Sequence, residues 1–198
     1  MIIRARVGRS RETYHIDVTT NPDSNLVEAA SRGDAESFSR LCEQYYPALV
    51  AIAYSQLADR DMAEDAAQEA LLAAYRGIVR LKQPGRFAGW LTAICRNIAI
   101  DMAKARAREK HAQTVDGSGV LNPSRHETDT VGVVREIILR LDAQMRDIVY
   151  LKYYGRLSYG RIAQMLGISE EAVNGRLRRA RDRIRQELQR RASTETEP

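Results

Sequence analysis

Eight arginines crowd the segment from Glu170 to Arg191, where only four acidic residues oppose them, so that this short stretch carries a net charge of +4. A guanidinium group donates in a planar fork that fits phosphate oxygens and the major-groove edge of guanine. A helix face that is merely solvated mixes charges of both signs more evenly. The composition of this segment therefore indicates binding to nucleic acid. The eight residues are Arg176, Arg178, Arg179, Arg181, Arg183, Arg185, Arg190 and Arg191.

The residues around these arginines predict two helices joined by a tight turn. Ser158 is a suitable N-cap for a first helix, Gly167 a suitable end, and Ser169 a suitable N-cap for the arginine-bearing helix. Apolar residues recur along that second helix at spacings of three and four, which predicts one buried stripe. The stripe comprises Val173, Leu177, Ala180, Ile184 and Leu188. A helix–turn–helix with a cationic second helix is suited to the major groove of DNA.

Two further segments have side chains suited to binding. The segment from Asp59 to Glu69 has a net charge of −4 and leads into apolar residues, which predicts a helix with an acidic beginning. Pro84 and Gly85 should break that helix. A new apolar stripe then begins, and its helix ends in alternating basic residues. The stripe comprises Phe87, Trp90, Leu91, Ile94, Ile98 and Met102, and the basic residues are Lys104, Arg106, Arg108 and Lys110.

Composition excludes several classes of protein. Of 198 residues 44% are hydrophobic, enough for a core, and the net charge of +5 favours a polyanionic partner. Cys42 and Cys95 lie in helical patterns and read as buried free thiols. The three histidines lack zinc-type spacing, so we expect no metal and no cofactor. No apolar run reaches the ~18 residues that span a bilayer, and no secretory signal is visible, which predicts a cytoplasmic protein without membrane insertion.

The predicted fold is all-α, with two small helical domains joined by a flexible linker. Residues 1–22 form an N-terminal extension of unknown role, and residues 23–110 the first helical domain. Residues 111–130 lose helical periodicity and contain Gly, Ser, Asn and Pro, which is typical of a linker. Residues 131–191 form the second domain, with the helix–turn–helix, and residues 192–198 a tail.

Three motifs in this order resemble bacterial RNA polymerase sigma factors of the extracytoplasmic-function (ECF) class. Residues 61–72, DMAEDAAQEALL, resemble the region that docks on the polymerase clamp. Residues 86–101, RFAGWLTAICRNIAID, resemble the segment that melts and reads the −10 promoter element. Residues 142–151, DAQMRDIVYL, and the helix–turn–helix after them resemble the −35-binding domain. The resemblance covers roughly residues 25–190 and makes the first domain sigma region 2 and the second sigma region 4.

The resemblance implies a subunit without catalysis that binds core RNA polymerase, at its clamp and flap, and starts transcription at selected promoters. An acidic and polar helix face would meet a basic polymerase surface. That face would comprise Asp61, Glu64, Asp65, Gln68 and Glu69. For Asp61 and Glu64, an effect on the helix N-terminus alone is an equally good explanation.

The resemblance also assigns contacts to the −10 element. A melted strand needs aromatic stacking platforms and cationic contacts to its backbone. The loop at residues 82–87 would form much of a base pocket, and the following helix would touch strand backbone or base edges. Trp90 would either stack on DNA or belong to the core, since its spacing fits both. The candidates are Lys82, Arg86, Phe87, Trp90, Arg96, Asn97, Asp101, Lys104 and Arg108.

The −35 element would be read as duplex by the second helix of the helix–turn–helix. Base contacts are expected near the start of that helix, and phosphate contacts from flanking arginines. The base candidates are Glu171, Asn174, Gly175 and Arg178, and the phosphate or base candidates are Arg176, Arg179, Arg181 and Arg183. Many family members have Lys-Ser where this chain has Asn174-Gly175. Gly175 would let the backbone approach DNA closely while Asn174 reads an adenine, or the difference has no effect.

Other functions stay open at this point. Members of the class often act in stress responses and pair with an anti-sigma protein that masks both domains, although no residue here identifies such a partner. A conventional helix–turn–helix regulator would bind operator DNA without polymerase, usually as a dimer, and would leave residues 61–72 and 86–101 unexplained. An enzyme is the weakest alternative, because the sequence shows no phosphate-binding loop, metal cluster or nucleophile–base pair.

Overall fold

The computed structural model describes residues 23–115 and 130–194, and in these two stretches all regular structure is helical. The predicted all-α class is therefore confirmed. The predictions for residues 1–22, for 116–129 of the linker and for residues 195–198 lie outside the described residues. The elements are α1 Ser24–Ser31, α2 Ala35–Leu57, α3 Arg60–Gly77, 3₁₀ turns Ile78–Arg80 and Pro84–Arg86, α4 Phe87–Val115, α5 Thr130–Leu139, α6 Ala143–Val149, a π-helical turn Tyr150–Tyr154, α7 Tyr159–Leu166 and α8 Glu170–Thr194.

Helices α1 to α4 form the first group. Aspartate side chains cap the N-termini of α2 and α3. Asp34 accepts a hydrogen bond from the Glu36 N–H at the start of α2, and Asp59 accepts one from the Met62 N–H at the start of α3. Ala58 separates these helices in the left-handed region, with φ of 51°. These caps satisfy N–H groups that each helix would otherwise leave unpaired at its first turn.

The buried face of α3 consists of alanines alone. They are Ala63, Ala66, Ala67, Ala70 and Ala74. Side chains this small let α3 lie close against α2 and α4, because the distance between helix axes depends on the side chains at the contact. The polar residues and the larger apolar residues of α3 therefore face outward or lie at its edges.

Helices α5 to α8 form the second group, and its helix–turn–helix follows the predicted signals. The Ser158 hydroxyl accepts a hydrogen bond from the Arg161 N–H, Gly167 ends α7 with φ of 65°, and the Ser169 hydroxyl accepts from the Ala172 N–H. Val173, Leu177 and Ala180 are fully buried, as the periodicity predicts. The turn is tight because Gly167 adopts a left-handed conformation at little cost.

The two groups pack against one another, which the sequence did not predict. Helices α2 and α4 of the first group contact α6, the π-helical turn and α7 of the second, and one core of buried residues runs through both. Gly155, just after the π-helical turn, permits this approach, since a Cβ there would lie 3.4 Å from the Ala51 Cβ and 2.9 Å from the Leu151 carbonyl oxygen.

Two local predictions have clear outcomes. Pro84 and Gly85 interrupt the helical path between α3 and α4, as expected. Helix α4 continues to Val115, and so runs five residues into the segment assigned to the linker. Cys95 is a buried free thiol, as predicted, whereas Cys42 is a free thiol that is only half-buried. Burial raises the pKa of Cys95 to about 12, so that this thiol is unreactive near neutral pH.

Candidate nucleic-acid and protein-binding surfaces

The start of α8 presents an exposed polar face away from its buried stripe. Glu171, Asn174 and Arg178 are all exposed and follow one another at spacings of three and four, which aligns them on one side of the helix. Arg181 and Arg185 continue the same row toward the C-terminal end. The structure thus brings three of the predicted base contacts together on one accessible side of α8.

Tyr153 supports this row from outside the helix. Its hydroxyl oxygen accepts a hydrogen bond of 2.9 Å from Nε of Arg181, and the side chain is 56% exposed. Sequence reasoning missed Tyr153, because the π-helical turn that aims it at α8 has no clear sequence signal. The tyrosine-rich stretch was visible, but its contact with a residue 28 positions away was not.

The remaining arginines of the prediction lie on a different flank of α8. Arg176, Arg179 and Arg183 follow each other at spacings of three and four, on the side of the helix far from the row of Asn174 and Arg178. Arg183 lines a hollow between α5 and α8 together with Ile137 and Leu141. The structure therefore separates these three arginines from the first row on the surface of α8.

Gly175 is not required by the fold. A Cβ built on it meets no atom within 4 Å, and its φ is not in the left-handed region. The Gly175→Ala substitution should therefore stabilise the free protein, by about 1 kcal/mol for a position inside a helix. If DNA backbone approaches Gly175 closely, the same substitution should weaken binding to −35 duplex.

Thermal unfolding and duplex binding together test this expectation. If Gly175→Ala raises the melting temperature and weakens duplex binding, then Gly175 lies at the DNA contact. Asn174→Ala is the comparison, because it removes a proposed base contact and should lower affinity without adding bulk at Gly175. Equal affinity of Gly175→Ala and the parent protein would mean that Gly175 has no role in binding.

Four polar residues form an exposed row along α4. Asn97, Asp101, Lys104 and Arg108 recur at spacings of four, three and four. Lys104 lies 3.3 Å from the Asp101 carboxylate, an exposed ion pair that leaves both side chains accessible. The structure therefore gathers these predicted −10 contacts on one accessible face.

The loop before α4 agrees only partly with the prediction. Lys82 and Arg86 are exposed, but Phe87 is fully buried and packs edge-to-face on Tyr45 at 5.3 Å between ring centroids. The expected contact of Phe87 with DNA is therefore corrected: the ring anchors the loop in the core. Trp90 is partly buried, and its ring lies so close to Gly77 that a Cβ there would be 3.1 Å away. Trp90 therefore packs against the end of α3 and stays partly accessible.

Arg96, another predicted −10 contact, has a partner in the second group of helices. Its guanidinium group donates to Oδ2 of Asp147 at 2.7 Å, and the Asp147 side chain is only 4% exposed. Arg96 is therefore engaged by the second group of helices, while its own side chain stays 32% exposed. A contact between residues 51 positions apart has no sequence signal.

The acidic beginning of α3 is accessible. Asp61, Asp65, Gln68 and Glu69 are exposed, whereas Glu64 is half-buried and accepts a 2.9 Å hydrogen bond from Nε of Arg60. Asp59 is the N-cap of this helix, so the later acids are not needed for that purpose. This cluster, Asp61, Asp65, Gln68 and Glu69, is named the acidic α3 surface below.

An apolar row continues the acidic α3 surface toward the end of the helix. Leu72, Tyr75 and Val79 are 58%, 55% and 72% exposed. The sequence placed them in an apolar pattern with Leu71 and Ile78, of which Ile78 is buried. Periodicity could not separate the core side from the outer side here, because apolar residues occupy both. Large exposed apolar side chains in a row are typical of a protein-binding surface.

Neither a metal site nor a membrane span is found among the described residues. These residues contain no group of three or more His, Cys, Asp or Glu side chains placed to hold a metal ion. In the same part of the chain, no helix combines the length and apolarity that crossing a bilayer requires.

Comparison with known proteins matches both halves of the chain. Residues 41–109 match the family model of sigma-70 region 2, and residues 132–184 match that of sigma-70 region 4. A probable RNA polymerase sigma factor RfaY of Xanthomonas campestris is 32% identical over 83% of this chain, which spans 44% of that relative's length. The ECF RNA polymerase sigma factor SigW of Bacillus subtilis is 26% identical over 82% of this chain and 94% of its own length.

A solved structure is similar in sequence and fold. RpoE of Bartonella quintana, a sigma factor solved in complex with the anti-sigma factor NepR, is 25% identical, has a TM-score of 0.52, and is covered over 98% of its length. CnrH, solved with the cytosolic domain of CnrY, has a TM-score of 0.56 and 24% identity, which supports the fold. Given the two regional matches in their order along the chain, this protein belongs to the ECF class of RNA polymerase sigma factors.

Proposed function

We propose that this chain binds core RNA polymerase and directs it to promoters by reading a −35 and a −10 element. One observation carries the proposal: a single chain combines a helix–turn–helix with a polar reading face, a second polar row on α4 and an acidic α3 surface. Each half matches a sigma region whose task corresponds to these surfaces. The chain itself needs no catalytic group for this task, and it would work in the cytoplasm, with the polymerase.

The acidic α3 surface is the proposed contact with the polymerase clamp. Asp65, Gln68 and Glu69 are exposed and make it up with Asp61, whereas Glu64 contributes charge from its pair with Arg60. Acidic groups at the rim of an interface raise the association rate with a basic partner. Once polymerase holds both DNA-binding groups, their weak individual contacts add through effective concentration.

Promoter opening would use the face of α4. Asn97, Asp101, Lys104 and Arg108 would follow the separated strand, and Lys82 and Arg86 would contact its backbone beside the base pocket. Phe87 would act indirectly by anchoring the loop, as its burial requires. Glu171, Asn174 and Arg178 of α8 would read the −35 duplex, while the second flank, Arg176, Arg179 and Arg183, contacts phosphates.

An anti-sigma protein is a proposed partner. The similar sigma factor of Bartonella quintana was solved in complex with one. Such a partner would need to cover the acidic α3 surface or the α4 row to stop initiation. Co-purification of the tagged chain from its native host, followed by competition with core polymerase, tests whether this partner exists.

Run-off transcription is the experiment that tests the proposed function. Purified bacterial core polymerase is incubated with a library of promoter fragments, with and without this protein. Transcripts that require the protein and share a −35/−10 pair support the proposal and give the consensus. No protein-dependent transcript, together with a shifted DNA band from the protein alone, would support a conventional helix–turn–helix regulator instead.

The apolar row beside the acidic α3 surface yields a separate prediction. Leu72 is 58% exposed and lies on the same helix as Gln68 and Glu69, one turn further along. We expect it to extend the polymerase contact, so that Leu72→Asp weakens polymerase binding about tenfold or more, as a buried interface residue would. Leu72→Met retains the apolar contact and should bind as the parent protein does.

Equilibrium binding to core polymerase distinguishes these outcomes. The melting temperatures of both variants should stay close to that of the parent protein, because Leu72 is mainly outside the core. Parent-like binding of Leu72→Asp would exclude this part of α3 from the interface.

A further inference from the structure

One arginine of α8 is held by a neutral hydroxyl rather than by an acid. Nε of Arg181 donates to the Tyr153 hydroxyl oxygen at 2.9 Å, and both side chains are exposed. The next arginine of the same row, Arg185, lies 3.3 Å from the Asp182 carboxylate. In the part of the chain that the structure describes, no carboxylate forms an ion pair with Arg181. Tyr153 therefore holds this guanidinium in place and leaves its positive charge uncompensated.

A second tyrosine lies at the same guanidinium group. Hydrogen bonding to Tyr153, and to a smaller extent to Tyr159, raises the pKa of Arg181. A guanidinium has five N–H donors in one rigid plane. Two hydroxyl oxygens cannot use all five, so donors remain for an anion. The two tyrosines fix the plane in which those donors are presented.

A π-helical turn places Tyr153 at this position. The Gly155 N–H donates to the Tyr150 carbonyl five residues earlier, at 2.9 Å, which is the hydrogen bond of a π-helix. The following Tyr154 turns to the other side, where its ring stacks on Tyr54 with 5.2 Å between centroids. Single π-helical turns are rare and are frequent at functional sites. This turn gives two neighbouring tyrosines two different partners, of which that of Tyr153 lies on α8.

Lys152 fixes the second tyrosine. Its Nζ donates to the Leu157 carbonyl at 3.1 Å and lies 4.9 Å from the centroid of the Tyr159 ring. A cation over an aromatic face is attracted by the quadrupole of the ring. Tyr159 is also the first residue of α7. The surroundings of Arg181 are therefore built by the π-helical turn and by the first turn of α7, not by α8 alone.

Arg181 lies beyond the residues that are proposed to meet bases. It follows Arg178 by three residues, nearly one helical turn, on the side from which Tyr153 reaches α8. In a helix–turn–helix, residues near the start of the second helix contact base edges, and neighbouring elements cross the DNA backbone. A side chain shared by α8 and the element beside it suits the edge of the groove, where the phosphates lie. A phosphate accepts two parallel N–H bonds from one guanidinium.

We propose that Tyr153 is a positioning residue of the −35 surface, whose hydroxyl orients Arg181 so that the remaining guanidinium donors bind one phosphate of the duplex. This inference rests on the proposed function, which supplies the identity of the DNA. Holding a long side chain in one conformation before binding avoids part of the entropy that is otherwise lost at an interface. A neutral hydroxyl does so without neutralising the charge that attracts the phosphate.

Tyr153→Phe tests the proposal by removing one hydroxyl oxygen and keeping the ring. Fluorescence anisotropy measures the affinity of the full chain for labelled duplex DNA at low salt, where phosphate contacts are strongest. The affinity should fall about threefold to tenfold, the range of one ordinary hydrogen bond. The melting temperature should stay close to that of the parent protein, because Tyr153 is 56% exposed. Parent-like affinity of this variant would overturn the proposal.

Tyr154→Phe is the matched control, the same chemical change at the next residue. Its ring stacks on Tyr54, and phenylalanine retains this contact. The control should bind duplex DNA as the parent protein does. Equal losses in both phenylalanine variants would mean that the hydroxyls act on the π-helical turn in general, and would overturn a specific role of Tyr153.

Arg181→Ala shows whether Tyr153 acts through the arginine. This variant should weaken binding to every duplex sequence alike and lower the slope of log affinity against log salt by about one, as the loss of one phosphate contact does. Adding Tyr153→Phe to it should cost no further affinity, because the two residues act as one unit. A loss from Tyr153→Phe that persists undiminished beside Arg181→Ala contradicts the positioning role. A loss from Arg181→Ala that is confined to one base sequence contradicts the phosphate contact.

These measurements separate the positioning role from the proposed function. A phosphate contact is independent of sequence, so a duplex of arbitrary sequence is a sufficient probe and no polymerase is needed. A chain that fails in run-off transcription but shows the coupled loss contradicts the proposed function and supports the pair of Tyr153 and Arg181. Successful promoter-specific transcription with parent-like duplex binding of Tyr153→Phe does the reverse. A parent chain that binds no duplex at low salt would also overturn the phosphate contact.

Discussion

The double substitution Gln68→Ala/Glu69→Ala should weaken binding to core RNA polymerase by about tenfold to a hundredfold. Both side chains are exposed on α3 and belong to the acidic α3 surface. Truncating a central interface residue typically costs ~1–2 kcal/mol or more, and each 1.4 kcal/mol is a factor of about ten in affinity. Alanine is also the best helix former, so the fold should not suffer. Equilibrium binding to labelled core polymerase measures the effect, and promoter-specific transcription at limiting protein concentration should fall with it.

The chain offers a matched control for this experiment. Glu43 and Gln44 are the same two residue types, adjacent and exposed, on α2. Glu43→Ala/Gln44→Ala changes the net charge by the same amount and should bind polymerase as the parent protein does. If both double variants lose affinity equally, the loss follows from net charge and not from a contact on α3. If neither loses affinity, the clamp does not bind this surface.

Salt dependence gives a second check on the same surface. Electrostatic steering is screened over about 8 Å at physiological ionic strength. If Asp61 and Asp65 contribute charge but no close contact, their substitution should slow association at low salt and matter little at high salt. Gln68 carries no charge, so the loss from Gln68→Ala should persist at every salt concentration.

Local signals in the sequence predicted much of the fold. Ser158, Gly167 and Ser169 set the turn of the helix–turn–helix through contacts within a few residues, and Val173 and Leu177 lie in the core as their spacing predicts. Such features depend on backbone groups left unpaired at helix ends and on the 3.6-residue period. The exposed row of Glu171, Asn174 and Arg178 was predictable for the same reason, because the buried stripe of α8 determines the opposite face.

Contacts between distant parts of the chain were not predictable from one sequence. Asp147 meets Ser55 across 92 positions and Arg96 across 51, and neither pairing has a periodic or local signature. Phe87 is similar: an aromatic residue beside a predicted base pocket suits a stacking role and a core role equally well. Only the packing of Tyr45 on its ring distinguishes the two. The burial of Leu72 and Val79 was also not predictable from the sequence. Large apolar residues usually mark the core side of a helix, but in α3 alanines fill that side and the larger residues lie outside.

Arg178→Glu should abolish most −35 selection, with a loss of about tenfold to a hundredfold in transcription from a promoter that depends on its −35 element. Arg178 is exposed in the row with Glu171 and Asn174 near the start of α8. Removing one bidentate base contact costs ~1–3 kcal/mol, and the new carboxylate adds repulsion from the phosphates. Run-off transcription on promoters with intact and scrambled −35 elements measures the difference. Arg40→Glu, the same reversal at an exposed site of α2 with side chain 61% accessible, should retain full selection.

The neutral variant Arg178→Ala separates a base contact from a phosphate contact. If Arg178 reads a base, preference at one position of the −35 element should flatten while the salt dependence of duplex binding changes little. If it contacts a phosphate, all sequences should weaken together, and the slope of log affinity against log salt should fall by about one. Arg179→Ala, on the other flank of α8, should give the phosphate result. Normal −35 preference in Arg178→Glu would exclude this row as the reading face. The flank of Arg176 and Arg183 would then be the candidate for base contacts.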